Sequence, residues 1–303
     1  MEKIRQHYVS RFYLKPWAEN DQIWCLRDRK IFSANLMKIA NEKYFYELRD
    51  LSPEDMALIE RFAIAQSPEH LRPLHRNFLK SFSLPWEIKK NAERIGRVDP
   101  TLLSMLDETI ANMEENYQMA IENSLQPFLI SMLQGSTDFY ANDEKASEFL
   151  YAISVQYLRT KKIREAIIAQ VHAPFRDIRR AWNVLSHITA TNMGWSLFAD
   201  RANFQIVLLD NLTGTPFITG DQPLINSQAN PLEDVVTTGL EFFYPLCPSK
   251  AMLFSEASNH ERAAQSSISA KEVHHYNVLI ARNSLEQVFS NAEESLKVIQ
   301  GFI

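Results

Sequence analysis

The feature that most limits the fold is a long apolar stripe in the middle of the chain. Asp99-Pro100 opens it, and Leu106, Ile110, Met113, Tyr117, Ile121, Leu125, Phe128 and Met132 come after at intervals of three or four, up to Gly135. That period belongs to one face of an α-helix, and a helix over this stretch is about 50 Å long. A rod of that length cannot bury its apolar face against itself and needs other helices. The flanking segments supply them. Ser52-Pro53-Glu54-Asp55 reads as a capped helix start, with Leu58, Phe62 and Ala65 at helical spacing. Prolines 68, 73 and 85 are expected to divide the next stretch into short helices. Asn142-Asp143 caps a helix running to about Val171, and Pro174 starts another towards Trp195 and Ala199. Long helices on short connections pack as a bundle.

Both ends of the chain are patterned differently. Near the start, Tyr8, Phe12 and Leu14 suit one face of a short helix limited by Pro16, and residues 22–32 read as a β-hairpin. Beyond Asp200, residues 204–209 read as a buried strand that returns as 215–219 across a turn. Residues 241–245 and 251–255 form a second pair. Ser269 and Glu272 make a capping box for a helix to about Ala281, and 286–302 reads as one or two short helices. The expected class is α+β. A central helical bundle over about 52–200 carries antiparallel β-hairpins near the N-terminus and in the C-terminal third, 201–303, within a single integrated domain over 1–303.

Charge and composition narrow the function classes. A net charge of −5 argues against coating nucleic acid through overall charge. No 18-residue apolar run and no apolar N-terminal leader occur, so a cytoplasmic protein without a membrane partner is expected. Cys25 and Cys247 lie in apolar stretches outside any metal spacing and read as buried thiols. Seven glycines leave no phosphate loop, and no Gly-x-Ser-x-Gly elbow is present. The adjacent pair His274-His275 points its side chains about 100° apart, so no metal site is expected and the residues name no cofactor.

The polar anomalies are more informative. On the helix after Asn142, the apolar face of Phe149, Ile153, Tyr157, Ile163 and Ile167 is interrupted by Gln156 and Thr160, with Arg159 and Arg164 flanking it. A buried amide or hydroxyl costs about 1–3 kcal/mol unless paired. These side chains therefore either bridge the core to a loop, such as the one holding Asp221, or wall a pocket in which Arg159 grips a phosphate or carboxylate. Arg and Lys at 159, 161, 162, 164, 176, 179 and 180 face only Glu165 and Asp177 in the same stretch. That excess is either a solvated face or a groove for anions. At the end of an apolar run, Phe217-Ile218-Thr219-Gly220-Asp221-Gln222-Pro223 presents a carboxylate and an amide on a stiffened turn. His7, among aromatics near the terminus, is either a hydrogen-bonded packing residue or the natural neutral-pH acid or base.

Taken together, His7-Tyr8-Val9-x-x-Phe12-Tyr13-Leu14, Glu42-x-x-Phe45-Tyr46, Gln156-x-x-Arg159-Thr160, Phe217-Ile218-Thr219-Gly220-Asp221-x-Pro223 and Tyr244-Pro245-Leu246 resemble a microbial family, domain of unknown function 4238. The likeness covers most of the chain. Ser10 stands where that pattern often has Pro, and Gly220 where Ser is commoner. The resemblance implies unity of fold and flags His7, Gln156, Arg159, Asp221 and Asn277, with no activity attached.

The first expectation is a hydrolase or nuclease-like enzyme acting on a phosphate-containing substrate, a nucleotide or nucleic acid, in a bacterial defence or toxin-like setting. His7 and Asp221 would be catalytic. Tyr8, Gln156, Arg159, Thr160, Gln222 and Asn277 would hold an anionic small molecule or nucleic acid. The alternatives are a non-catalytic ligand-binding or sensor module, and a structural or interaction protein in which these residues tie the helices to the terminal hairpins.

Overall fold

The computed structural model describes residues 2–96, 99–170, 177–229, 239–257 and 265–302. In chain order the elements begin β1 (Arg5–His7), α1 (Arg11–Leu14), β2 (Gln22–Arg27), β3 (Lys30–Asn35) and β4 (Asn41–Lys43). The helical part is α2 (Pro53–Ile59), α3 (Arg72–Ile95), α4 (Pro100–Leu133), α5 (Asp143–Leu158), α6 (Lys161–Gln170) and α7 (Ile178–Ala199). Then come β5 (Phe204–Asp210), β6 (Thr219–Gly220), β7 (Ile225–Asn226), β8 (Glu241–Cys247), β9 (Lys250–Glu256) and β10 (Gln265–Ser267). The chain closes with α8 (Ala270–Asn283), β11 (Val288–Ser290) and α9 (Glu293–Ile299). The class is α+β.

The capping signals act as the residues suggest. Ser52 and Asp55 form a reciprocal capping box on α2, as Ser269 and Glu272 do on α8. The Asp99 side chain accepts from Thr101 N at the start of α4, and Gly135 takes a positive φ of 90° just past its end. Stripe residues Leu106, Ile110, Ile121, Leu125, Phe128 and Met132 are buried. No helix among the described residues is long and apolar enough to cross a membrane.

Five local expectations are corrected. Pro85 lies inside α3, which runs unbroken for 24 residues. The bond it forfeits is outweighed by packing on either side, with Phe82 buried and Trp86 Nε1 donating to Leu48 O at 2.9 Å. The helix from Asn142 does not reach Val171, because it breaks at Arg159 and Thr160 between α5 and α6. Phe12 is exposed while Tyr8 is buried, since Tyr8 comes directly after a strand and Phe12 sits in the short α1. Residues 215–219 do not return along β5, and 288–290 is a strand. The stretch from Val171 to Arg176, including Pro174, lies outside the described residues.

The last two corrections share a cause, which is how the chain ends meet. The N-terminal hairpin β2–β3 enters a sheet of order β3-β2-β11-β6, so Trp24, Cys25 and Leu26 pair with 288–290, and Val288 and Phe289 pair with Gly220 and Thr219. A second sheet, β10-β5-β9-β8-β7, holds the expected β8–β9 hairpin, with β5 antiparallel to β9 and parallel to β10. One apolar cluster runs from Tyr8, Leu14 and Trp17 through Phe128 and Phe149 to Tyr244 and Phe289, joining both sheets to the helices.

Candidate functional site

The motif residues are built around the segment 217–222, and most of them act as joints. Trp17 Nε1 donates to Phe217 O at 3.0 Å. Tyr13 stacks on Tyr244 at 4.9 Å, donates its hydroxyl to Pro245 O at 2.7 Å and lies 2.7 Å from Thr219 Oγ1. From α8, Asn277 accepts from Ile218 N at 3.0 Å and donates to Pro216 O at 2.9 Å. Its amide does for this segment what a neighbouring strand would do. Asn277→Ala leaves both backbone groups unpaired and should lower stability by about 2 kcal/mol. The midpoint of urea unfolding measures it, and an unchanged midpoint contradicts that role.

Asp221 is only 1% exposed. Its carboxylate accepts from Leu285 N and Glu286 N, both at 2.7 Å, and from Gln287 N at 2.9 Å. Burial pushes the carboxyl up to about 6 against the pull of those three amides. Gln287 continues the joint towards the N-terminus, donating to Tyr8 Oη at 3.0 Å and accepting from Ala40 N at 3.3 Å. Gly220 is packed closely against Ser284 and Gln287. A Cβ there would collide with Ser284 Oγ and approach Gln287 O to 3.2 Å.

Across the core, Gln222 accepts from the Thr160 hydroxyl and donates to Leu224 O at 2.6 Å. This is the bridge between helix and loop, and the break after α5 makes it. The same break turns Arg159 inward to 3% exposure. Its Nε donates to Tyr46 Oη at 2.8 Å, Nη2 to His7 O at 2.7 Å, and Nη1 to Glu122 at 2.5 Å. Burial opposes this charge, but Tyr46 and Glu122 outweigh it and raise the guanidinium above its ordinary range. Gln156 is buried, and its Nε2 meets no partner among the described residues.

One part of this network borders open space. A cleft of about 230 Å³ is lined by His7, Ser10, Arg11, Glu115, Gln118, Glu122 and Arg159, among others. It brings together His7 and Arg159; Tyr8, Gln156, Thr160, Asp221, Gln222 and Asn277 are not among its walls. The His7 ring is held below its ordinary pKa, chiefly by burial and then by Arg11. Burial pushes the Glu115 carboxyl up to about 7, with Glu122 adding to the shift and Arg159 opposing it. Gln118 Oε1 and Glu115 Oε2 are buried acceptors without a hydrogen-bond partner among the described residues. Glu115, Gln118 and Glu122 stand at i, i+3 and i+7 on α4, beside its apolar stripe. None of the three is among the site residues expected from the sequence, although this spacing of hydrogen-bonding side chains is visible there.

The basic stretch is largely paired. Lys161 meets Glu42 at 3.1 Å and Glu286 at 2.7 Å, while Arg164 and Arg179 share Glu165 at 3.1 and 2.8 Å. Arg180 donates to Asp50 O at 3.1 Å, and Arg176 lies outside the described residues. Lys43, Arg49, Arg164 and Arg179 still line a polar cavity of about 220 Å³ with Glu42. Cys25 and Cys247 are free thiols, buried and half-buried respectively. Among the described residues no group of three His, Cys, Asp or Glu side chains could hold a metal ion.

No curated protein and no solved structure matches the chain. One family model does, described as a protein of unknown function (DUF4238), and it matches residues 5–294. The strand pairing of both chain ends, the joints at Asp221, Asn277 and Arg159, and the cleft beside His7 all fall within that match, and the chain belongs to this family.

Proposed function

We propose that the protein is a ligand-binding module whose cleft between His7 and α4 takes a small molecule with a hydrogen-bond-donating, cationic head, an amine. The observation that carries this reading is the pair of buried acceptors, Glu115 Oε2 and Gln118 Oε1, in the wall of a half-polar cleft. A buried acceptor without a partner costs about 1–3 kcal/mol, and a donating ligand removes that cost. The buried cation beside them, Arg159, is already neutralised by Glu122, and Arg11 is exposed at the rim. An anion therefore meets the Glu115 carboxyl, whereas an ammonium meets the two unpartnered acceptors.

The test is thermal stabilisation by simple amines, which grows with ligand concentration when only the folded state binds. Glu115→Gln should weaken binding at least tenfold at pH 8. Affinity should also depend on pH with a definite sign. The carboxyl binds an ammonium only when ionised, so affinity rises as pH passes upward through about 7. It falls again near pH ~10, where an alkylamine loses its proton. Binding that is unaffected by Glu115→Gln, or that weakens as pH rises from 6 to 8, overturns the assignment.

A second reading keeps the phosphate-directed chemistry and moves it to the cavity of Lys43, Arg49, Arg164 and Arg179. Four cations around one cavity favour a phosphate group, although Glu42, Glu47 and Glu165 already pair with three of them. His7 and Asp221 do not line that cavity, so hydrolysis there would need a different base. Inorganic pyrophosphate in the same thermal assay separates the two readings. Stabilisation by pyrophosphate that Arg164→Gln abolishes would favour the second.

A further inference from the structure

The polar cleft does not end at its polar walls. On α4, Glu115, Gln118, Met119 and Glu122 are succeeded by Leu129, Ile130 and Leu133, and at 100° per residue all seven fall on one side of the helix. The second group lines a separate cleft of about 290 Å³, almost wholly apolar, whose other walls include Tyr13, Pro16 and Leu246. Phe12 belongs to both clefts. Its exposed ring stands between a cavity that offers acceptors and one that offers hydrocarbon.

We propose that the two clefts form one site for an amphipathic amine, its head at Glu115 and Gln118 and its alkyl tail passing Phe12 to lie against Leu129, Ile130, Leu133 and Leu246. This rests on the amine-binding reading and adds the tail to it. The charges fix the direction. Lys15 lines the apolar cleft and repels an ammonium there, while Glu115 attracts one at the other end. From Gln118 to Leu129 is eleven residues, or about 16 Å along the helix. Only a long, unbranched tail reaches the second cleft.

The experiment is a series of n-alkylamines from butyl to dodecyl, measured by calorimetric titration below their aggregation concentrations on the full chain. Affinity should stay nearly flat for the short members. Once the tail passes Phe12 it should climb about fourfold per added methylene. Ile130→Asp replaces an exposed side chain in the apolar cleft and should remove that climb while leaving butylamine binding unchanged. Butylamine binding with a flat series throughout overturns the tail but leaves the head site standing. Failure of every amine, short and long, overturns both. A climb that persists unchanged in Ile130→Asp means the tail lies elsewhere and also overturns the proposal.

Discussion

Asp221→Ala is expected to destabilise the protein by about 3–4 kcal/mol, a loss large enough to threaten folding in a protein of ordinary stability. Three backbone amides, those of Leu285, Glu286 and Gln287, aim at this one carboxylate. Hydrogen bonds to a charged group are worth about 1.5–3 kcal/mol each, and water can replace only part of them once the acceptor is gone. Asp221→Asn keeps one acceptor oxygen and should cost less, about 2 kcal/mol. Chemical denaturation monitored by far-UV circular dichroism reads both. A catalytic carboxylate predicts the opposite pattern, near-wild-type stability with lost activity. That outcome would return Asp221 to the reactive groups.

Arg159→Met is the second large effect, expected at about 3–5 kcal/mol. It strands Glu122 beside a protein wall and leaves Tyr46 Oη and His7 O without their donor. Arg159→Lys should rescue little, because an ammonium cannot reach three acceptors spread in the plane of a guanidinium. A double-mutant cycle with Glu122→Gln isolates the ion pair. A coupling of about 1 kcal/mol or more is expected, since the Arg159 side chain is 1% exposed. Coupling near zero would mean that the pair behaves like a surface contact and that Arg159 does not anchor β1.

Much of the architecture could be read from residues that act locally. The caps at Ser52, Asp99, Asn142 and Ser269, the long stripe of α4 and the hairpins β2–β3 and β8–β9 depend on neighbours a few positions away. The pairing of distant segments could not be read. Nothing in 215–220 says that its partner is 288–290 rather than β5, because both choices bury the same apolar residues. Pro85 misled for a related reason: its local cost is visible in the sequence, and the packing of Phe82 and Trp86 that outweighs it is not.

The site divides along the same line. Gln156, Thr160 and Asp221 could be picked out because polar side chains in apolar stretches must find partners. The same logic cannot distinguish a partner in the protein from a partner in a ligand. For Thr160, Asp221, Gln222 and Asn277 the partners proved to be backbone groups and one another. Arg159 looked peripheral only while α5 and α6 were read as one helix; the break after Leu158 carries it inside. The carboxyl groups that line the cleft beside His7, Glu115 and Glu122, were hidden in plain view on the polar side of the stripe.

The motif residues tie the two chain ends to the helices, with Asp221 as the main knot. Hydrogen exchange at the amides of Leu285, Glu286 and Gln287 reads that knot position by position. Slow exchange in the wild-type protein, lost at all three positions in Asp221→Ala, is the result expected. Exchange at the rate of an unstructured loop in the wild type, with no change on substitution, would contradict it.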